Sequence, residues 1–207
     1  LKTGVVTLDY PRTPARLPER FRGAPLPREG ASLSALPPAA RCPSGAITDS
    51  REAGGYAIDL ARCVFCGRCA EPEGPDAALE LGRQLELAAR SRERLVVRIE
   101  PGPGGTAAVA PPAAPSAPVA RSLRRALGRS LHLRHLDSGS CNACDWELTA
   151  LLNPVYDVRR LGIDFVASPR HADGVVVTGP VTRNLEVAVR RTWEAVPEPK
   201  IVVAVGA

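Results

Sequence analysis

Six cysteines fall in three groups along the chain. Cys42 stands alone before Pro43, Cys63, Cys66 and Cys69 form a CxxCxxC run, and Cys141 and Cys144 form a CxxC pair. Zinc sites usually pair one CxxC with a second CxxC or with histidines, whereas a triple CxxCxxC with a distant Cys-Pro is the phrasing of iron–sulfur ligation. Clumping of this kind, without the cysteine density of a small secreted domain, points to metal in a reducing compartment rather than to disulfides.

In two-cluster ferredoxins each half runs CxxCxxCxxxCP, and the last cysteine of one half completes the cluster of the other. By that rule Cys42 joins Cys63, Cys66 and Cys69 in one complete 4Fe-4S site. The first-half cysteines would stand at positions 32, 35 and 38, and the chain has Ser32, Ala35 and Pro38 there. The eighth would stand at Glu73. All four ligands of one cluster are absent together while all four of the other are kept, so the pattern predicts a ferredoxin-like module reduced to one cluster.

A chain of 207 residues with 44% apolar content has room for two small domains. No apolar run reaches the length of a membrane span and Leu1 opens no signal-peptide pattern, which reads as a soluble intracellular chain. The net charge of +5 is almost wholly arginine, because Lys2 and Lys200 are the only lysines. With abundant Ala, Pro and Gly beside it, this reads as codon bias. The local cluster Arg121, Arg124, Arg125, Arg129 and Arg134 has few aromatics near it, so docking on an acidic partner subunit is expected rather than nucleic-acid binding.

The expected fold class is α+β followed by α/β. Residues 1–30, rich in Pro and Arg, read as an extended strap. A ferredoxin-like module spans 31–99, with a hairpin from Ala46–Thr48 and Tyr56–Asp59 and a further strand at Ala77–Leu81. The Pro/Ala-rich stretch at 100–120, which includes PGPGGTAAVAPPAAPSAP, reads as a linker. Val119–Leu133 reads as a basic helix leading into a truncated, flavodoxin-like parallel α/β module over 121–207. In it, Gly162–Ala167, Gly174–Thr178 and Lys200–Val205 have strand length. Leu185, Ala188, Val189, Thr192, Trp193 and Val196 recur at helical spacing, which places Trp193 in a core.

Cys141 and Cys144 precede a helix carrying Leu148, Leu151 and Leu152. Two thiols are half of a four-thiolate site, and a redox dithiol or a packed thiol pair are the alternatives. In open parallel sheets ligands bind beyond the carboxyl ends of the strands, so further ligands are expected just past Ile201–Val205. The apolar last strand also leaves an open edge. The chain has no Met, not even at position 1, and is read as a fragment.

The stretch SLHLRHLDSGSCNACDWELTALLNPVYD, with SPRHADGVVVTGPVTRN and PEPKIVVAVGA, resembles the small cluster-bearing subunit of energy-converting NiFe hydrogenases, including formate hydrogenlyase. It is also similar to the corresponding subunit of respiratory complex I. The opening VVTLDYPRTPARLPERFRGAPL, with the cysteines after it, resembles the ferredoxin-type subunit of the same complexes, so the chain resembles a fusion of two neighbouring electron carriers. The resemblance implies Cys141 and Cys144 as the first two ligands of a second cluster, with a third and fourth cysteine following the Val-Gly-Ala segment. It also implies a large catalytic subunit as partner, membrane subunits reached indirectly, and a peripheral place on the inner face of the cell membrane.

The expected role is one-electron relay from a donor through the Cys42/Cys63/Cys66/Cys69 cluster and the Cys141/Cys144 cluster to a large subunit that reduces protons or a quinone. Ile47 and Val64 would shield the first cluster from water. Glu147, Arg170 and His171 are candidates for a proton relay or for facing the large subunit. Glu147 reads equally as a solvated acid in a first helical turn, and His171 as a local cap or pair. Two rivals remain: a zinc-stabilised assembly protein without electron transfer, and a soluble two-module ferredoxin.

Overall fold

The computed structural model describes residues 4–50, 55–71, 78–109 and 127–206. The chain divides into two units, residues 16–116 and residues 1–15 together with 117–206.

In the unit of residues 16–116, alternating sequence builds an antiparallel sheet in the order β2-β3-β5-β6. Its strands are β2 (Ile47–Ser50), β3 (Gly55–Asp59), β5 (Val96–Pro101) and β6 (Ala107–Val109). The expected hairpin is β2–β3, with Ile47 opposite Ile58. On β3, Tyr56 and Ile58 point inward, and on β5 Val97 and Ile99 do the same. Ile58 faces Val97 and Tyr56 faces Ile99 across the ladder, so one sheet face becomes the core with Leu79, Leu36 and Ala46. The buried Tyr56 hydroxyl donates to Pro37 O at 3.0 Å.

Two expectations change in this unit. Residues 24–27 belong to the folded module rather than to a strap: β1 (Pro25–Pro27) pairs antiparallel with β4 (Leu79–Leu81), and Ala24 and Pro25 are buried. Proline is tolerated there because β1 lies at a sheet edge and needs no further donors. Likewise Ala107–Val109, read as linker, pairs with β5 through a turn over Gly102–Gly105. Ala107 N also donates to Ala31 O at 2.8 Å. Ser32–Leu36, where ferredoxin cysteines were sought, form a short turn in which Ser32 Oγ accepts from Ser34 N. Glu73, Ala77 and the arginines at 121, 124 and 125 lie outside the described residues.

The other unit carries a parallel sheet in the order β10-β9-β7-β8, formed by β7 (Leu131–Asp137), β8 (Ile163–Phe165), β9 (Gly174–Thr178) and β10 (Ile201–Val205). Two helices interleave, α1 (Ala143–Ala150) and α2 (Glu186–Ala195). This is the expected α/β architecture. All five residues of β9 are buried, as the apolar run GVVVT in a covered parallel sheet requires. Residues 131–133, read as the end of a basic helix, instead begin one of the two central strands. The alternation Leu131-His132-Leu133 has period two, and pairing on both sides outweighs the helical reading.

The expected amphipathic helix is α2, and Trp193 packs with Val196 against Ala172, Val175 and Val177. Lys200 closes its end: Nζ lies 4.6 Å from the Trp193 ring centroid and donates to Trp193 O at 3.1 Å. A cation suits these last helical carbonyls. The opening residues also join this unit. Leu8 N donates to Val155 O at 2.8 Å, Thr7 Oγ1 donates to Pro154 O at 2.8 Å, and Arg160 donates to Leu8 O and Tyr10 O.

Candidate metal centre

Cys42 follows a short turn that leads into β2, and Cys63 follows β3, so the β2–β3 hairpin carries both thiols to one end of its sheet. Cys66 lies in the loop that follows, and Cys69 rides on the single turn Arg68–Ala70. That turn starts from Gly67 at φ 84, a left-handed backbone that glycine adopts without steric cost. The four sulfurs line one pocket, walled by Pro25, Ala46, Ile47, Ile58 and Phe65. Among the described residues no group of three or more Cys, His, Asp or Glu side chains is placed to hold a metal ion as it stands.

Hydrogen bonds already aim at the sulfurs. Ala46 N donates to Cys42 Sγ at 3.2 Å, Phe65 N donates to Cys63 Sγ at 3.4 Å, and Ser44 Oγ lies 3.4 Å from Cys42 Sγ. Burial opposes ionisation of Cys42, but the Ser44 hydroxyl and the backbone N–H groups of Ala46, Ser44 and Ile47 outweigh it and hold the thiol below its ordinary value. Burial pushes Cys63 up, with the Phe65 N–H as partial relief. Burial, reinforced by the neighbouring Cys63, pushes Cys69 up to about 11. A four-thiolate cluster matches this donor set, because its iron charge offsets the cost of four clustered anions and N–H groups stabilise its sulfurs.

Of the two shielding side chains expected, Ile47 is buried and lines the pocket, while Val64 lines it but is 57% exposed. Arg22 was missed: its Nη1 donates to Cys66 O at 2.8 Å and so ties the cysteine loop to the segment before β1. It lay in an arginine-rich stretch with no local signal to single it out.

The second pair sits elsewhere. In the parallel sheet β7 is followed by β8 on one side and neighbours β9 on the other, so the topology switches direction between β7 and β9. Ligand crevices form at such switch points, outside the carboxyl ends of the strands. Cys141 follows β7 at that point and is exposed, and Cys144 is half-buried in the first turn of α1. Burial raises the Cys144 thiol, and the charges of Cys141, Asp145 and Glu147 add to it. The segment leaving β10 arrives at the same place, since a Cβ built on Gly206 would lie 2.9 Å from Cys144 Sγ.

Glu147 is exposed on α1. Arg170 and His171 are not beside the cysteine pair. They precede β9 and line a cavity with Arg129, His132 and Asp173 at the opposite end of the sheet, roughly 15–20 Å away along the strands. The connection between β8 and β9 returns to the amino ends of the strands, which parallel topology requires. Sequence reasoning also missed His135 and Asp145, which are 2.7 Å apart at Nε2 and Oδ1 below the CxxC loop.

The loop and the strand ends that converge on it belong to a recognisable sequence. Residues 141–207 match the family model for the NADH ubiquinone oxidoreductase, 20 Kd subunit. Over 81 residues the chain is 52% identical to a probable membrane-bound hydrogenase subunit of Pyrococcus furiosus, a match covering 39% of this chain and 48% of that one. Over 86 residues it is 43% identical to formate hydrogenlyase subunit 7 of Escherichia coli, covering 42% and 34% respectively. Over 64 residues it is 42% identical to a NADH-quinone oxidoreductase subunit of Citrifermentans bemidjiense, covering 31% and 38%. The chain thus spans less than half the length of these relatives. The 20 Kd subunit match takes in Cys141, Cys144, α1 and the strands β8 to β10, and it begins beyond the four-cysteine pocket.

Proposed function

We propose that the chain is an iron–sulfur electron-transfer subunit of a membrane-associated oxidoreductase complex of the hydrogenase or NADH-quinone oxidoreductase type. The observation that carries this reading is the convergence of Cys42, Cys63, Cys66 and Cys69 on one pocket whose backbone N–H groups already point at sulfur. The names of the relatives matched by the second unit supply the kind of complex. The substrate chemistry, proton or quinone reduction, then belongs to a large catalytic subunit, with membrane subunits contacted through it. Among the described residues no helix is long and apolar enough to cross a membrane, and attachment to the inner face through partner subunits agrees with that.

A 4Fe-4S cluster held by the four thiolates supplies reversible one-electron chemistry at a potential set by its surroundings. The protein's part is positional and electrostatic. Ala46 N and Phe65 N donate to ligand sulfurs and stabilise their charge, Ile47 and Ile58 keep water from one wall, and Arg22 fixes the loop at Cys66. At the second site Cys141 and Cys144 supply half of a four-thiolate ligand set at the switch point. The N-terminal resemblance adds a ferredoxin-type carrier fused to the 20 Kd-like unit.

Iron, zinc and acid-labile sulfide per chain, with EPR after dithionite reduction of anaerobically purified protein, test the reading. The expected result is about four irons and four sulfides at the first site with one reduced-cluster signal, lost on Cys63→Ala. Zinc without labile sulfide overturns it in favour of a structural scaffold. A full-length protein that binds both clusters yet associates with no large subunit overturns the subunit role in favour of a free ferredoxin.

A further inference from the structure

Between β7 and α1 the backbone must deliver two thiols in defined directions. Directly after Cys141, Asn142 has φ 67, a left-handed conformation uncommon outside glycine. No side chain of Asn142 caps the helix. The loop is held from below instead. Asp137 Oδ1 accepts from Gly139 N at 2.9 Å and from Ser140 N at 2.7 Å, which closes the turn after β7. Ser140 Oγ then accepts from Asn142 N at 3.0 Å, inside the CxxC itself.

The Ser140 hydroxyl is in turn oriented by Asp145, whose Oδ2 accepts its hydrogen bond. The other oxygen, Oδ1, lies 2.7 Å from His135 Nε2 and accepts from Thr178 Oγ1 at 2.9 Å. His135 is on β7, and Thr178 is a fully buried residue at the end of β9. Both carboxylate oxygens are thus committed. An unbroken chain of polar contacts runs from the two central strands through Asp145 and Ser140 to the amide between the cysteines. Asp145 occupies the first turn of α1, where a carboxylate is also favoured by the helix dipole.

We infer that His135 is a positioning residue for the Cys141–Cys144 loop. It acts through Asp145 and Ser140 to fix the direction in which the two thiols leave the sheet. A chain of this kind is worth more than its separate bonds, because each partner orients the next. Removing the imidazole takes one of the two partners from Asp145 Oδ1 and leaves Thr178 Oγ1 and the Ser140 hydroxyl to hold the carboxylate, so the support beneath the Asn142 amide loosens. The consequence for cluster binding rests on the reading of Cys141 and Cys144 as a ligand pair, whereas the positioning itself does not.

The test is peptide-resolved hydrogen–deuterium exchange on the metal-free full chain, comparing wild type with His135→Leu, His135→Gln and Ser140→Ala. His135→Leu should accelerate exchange of the amides from Asn142 to Trp146 about tenfold while the β9 amides of Val175 to Val177 keep their rates. His135→Gln places an amide N–H where Nε2 stood and should return the loop to within about twofold of wild type. Unchanged loop exchange in His135→Leu overturns the inference, and so does a glutamine variant as fast as the leucine one. If His135→Leu also speeds β9, the whole unit has opened. Ser140→Ala then decides, because it cuts the last link without touching the sheet: a fast loop supports the chain and an unchanged loop sinks it. Iron content is measured separately, so a site that never binds iron refutes the ligand reading and leaves the positioning result standing.

Discussion

Ile58→Ala perturbs a side chain that belongs both to the core of residues 16–116 and to the wall of the cysteine pocket. Ile58 is 1% exposed and lies between Ile47 and Val97 on the neighbouring strands. The substitution removes three carbons, worth about 2.4 kcal/mol at roughly 0.8 kcal/mol each, and the cavity left in a rigid sheet brings the total to about 3–4 kcal/mol. A module of this size has little stability in reserve, so that loss should raise the open population of its sheet by about a hundredfold or more. Amide exchange of β3 and β5 reads this directly. Ile58→Val, which gives up one methylene and keeps the β-branch, should cost about 1 kcal/mol, or roughly fivefold in exchange. With the proposed cluster in place, the alanine variant should also lose iron faster in air, since water reaches the sulfurs through the gap. An alanine variant whose β3 and β5 amides exchange within about threefold of wild type would refute the packing argument.

Four further outcomes are expected. Asp173 accepts from Arg129 Nη1 at 2.8 Å, Arg129 Nη2 at 2.7 Å and His132 N at 2.8 Å, so Asp173→Ala should cost about 2 kcal/mol at neutral pH by urea denaturation. Burial works against the Asp173 carboxylate, but Arg129 and the His132 N–H outweigh it and lower its pKa. Its contribution is therefore full above the unfolded value of about 3.9 and is lost as pH falls through the lower folded value, so Asp173→Asn should flatten the acid limb of stability against pH. Gly206→Ala sets a methyl 2.9 Å from Cys144 Sγ at φ 99, and should speed exchange at the end of β10 and expose Cys144 to alkylation. Unchanged values would show that Gly206 does not touch the thiol. Arg160→Ala removes the donor to Leu8 O and Tyr10 O, and trypsin should then cut after Arg12 faster than in wild type.

Much of the fold was legible because its signals are local. The alternation in Tyr56–Asp59 names the inward face of β3, the unbroken Val175–Val177 marks a strand buried on both sides, and Leu185 to Val196 repeat at helical spacing. The grouping of the four cysteines that line one pocket was legible too, since their spacing is a property of the chain. What the sequence by itself determined was therefore the spacing of the candidate donors and the types of the strongly patterned elements.

Tertiary structure alone decided which weakly patterned segments became strands. Pro25–Pro27 and Ala107–Val109 have poor strand composition and are strands only because β4 and β5 offer free edges to pair with. Leu131–Asp137 is half-polar, yet it is one of the two central strands, because two neighbours satisfy its backbone. Topology likewise set the CxxC pair at the switch point and carried Arg170 and His171 to the far end of the sheet. The chain from His135 and Thr178 through Asp145 to Ser140 joins residues up to 43 positions apart. A hydrogen bond depends on where two atoms stand in space, and for residues on different strands the register of the sheet sets that place while spacing along the chain does not.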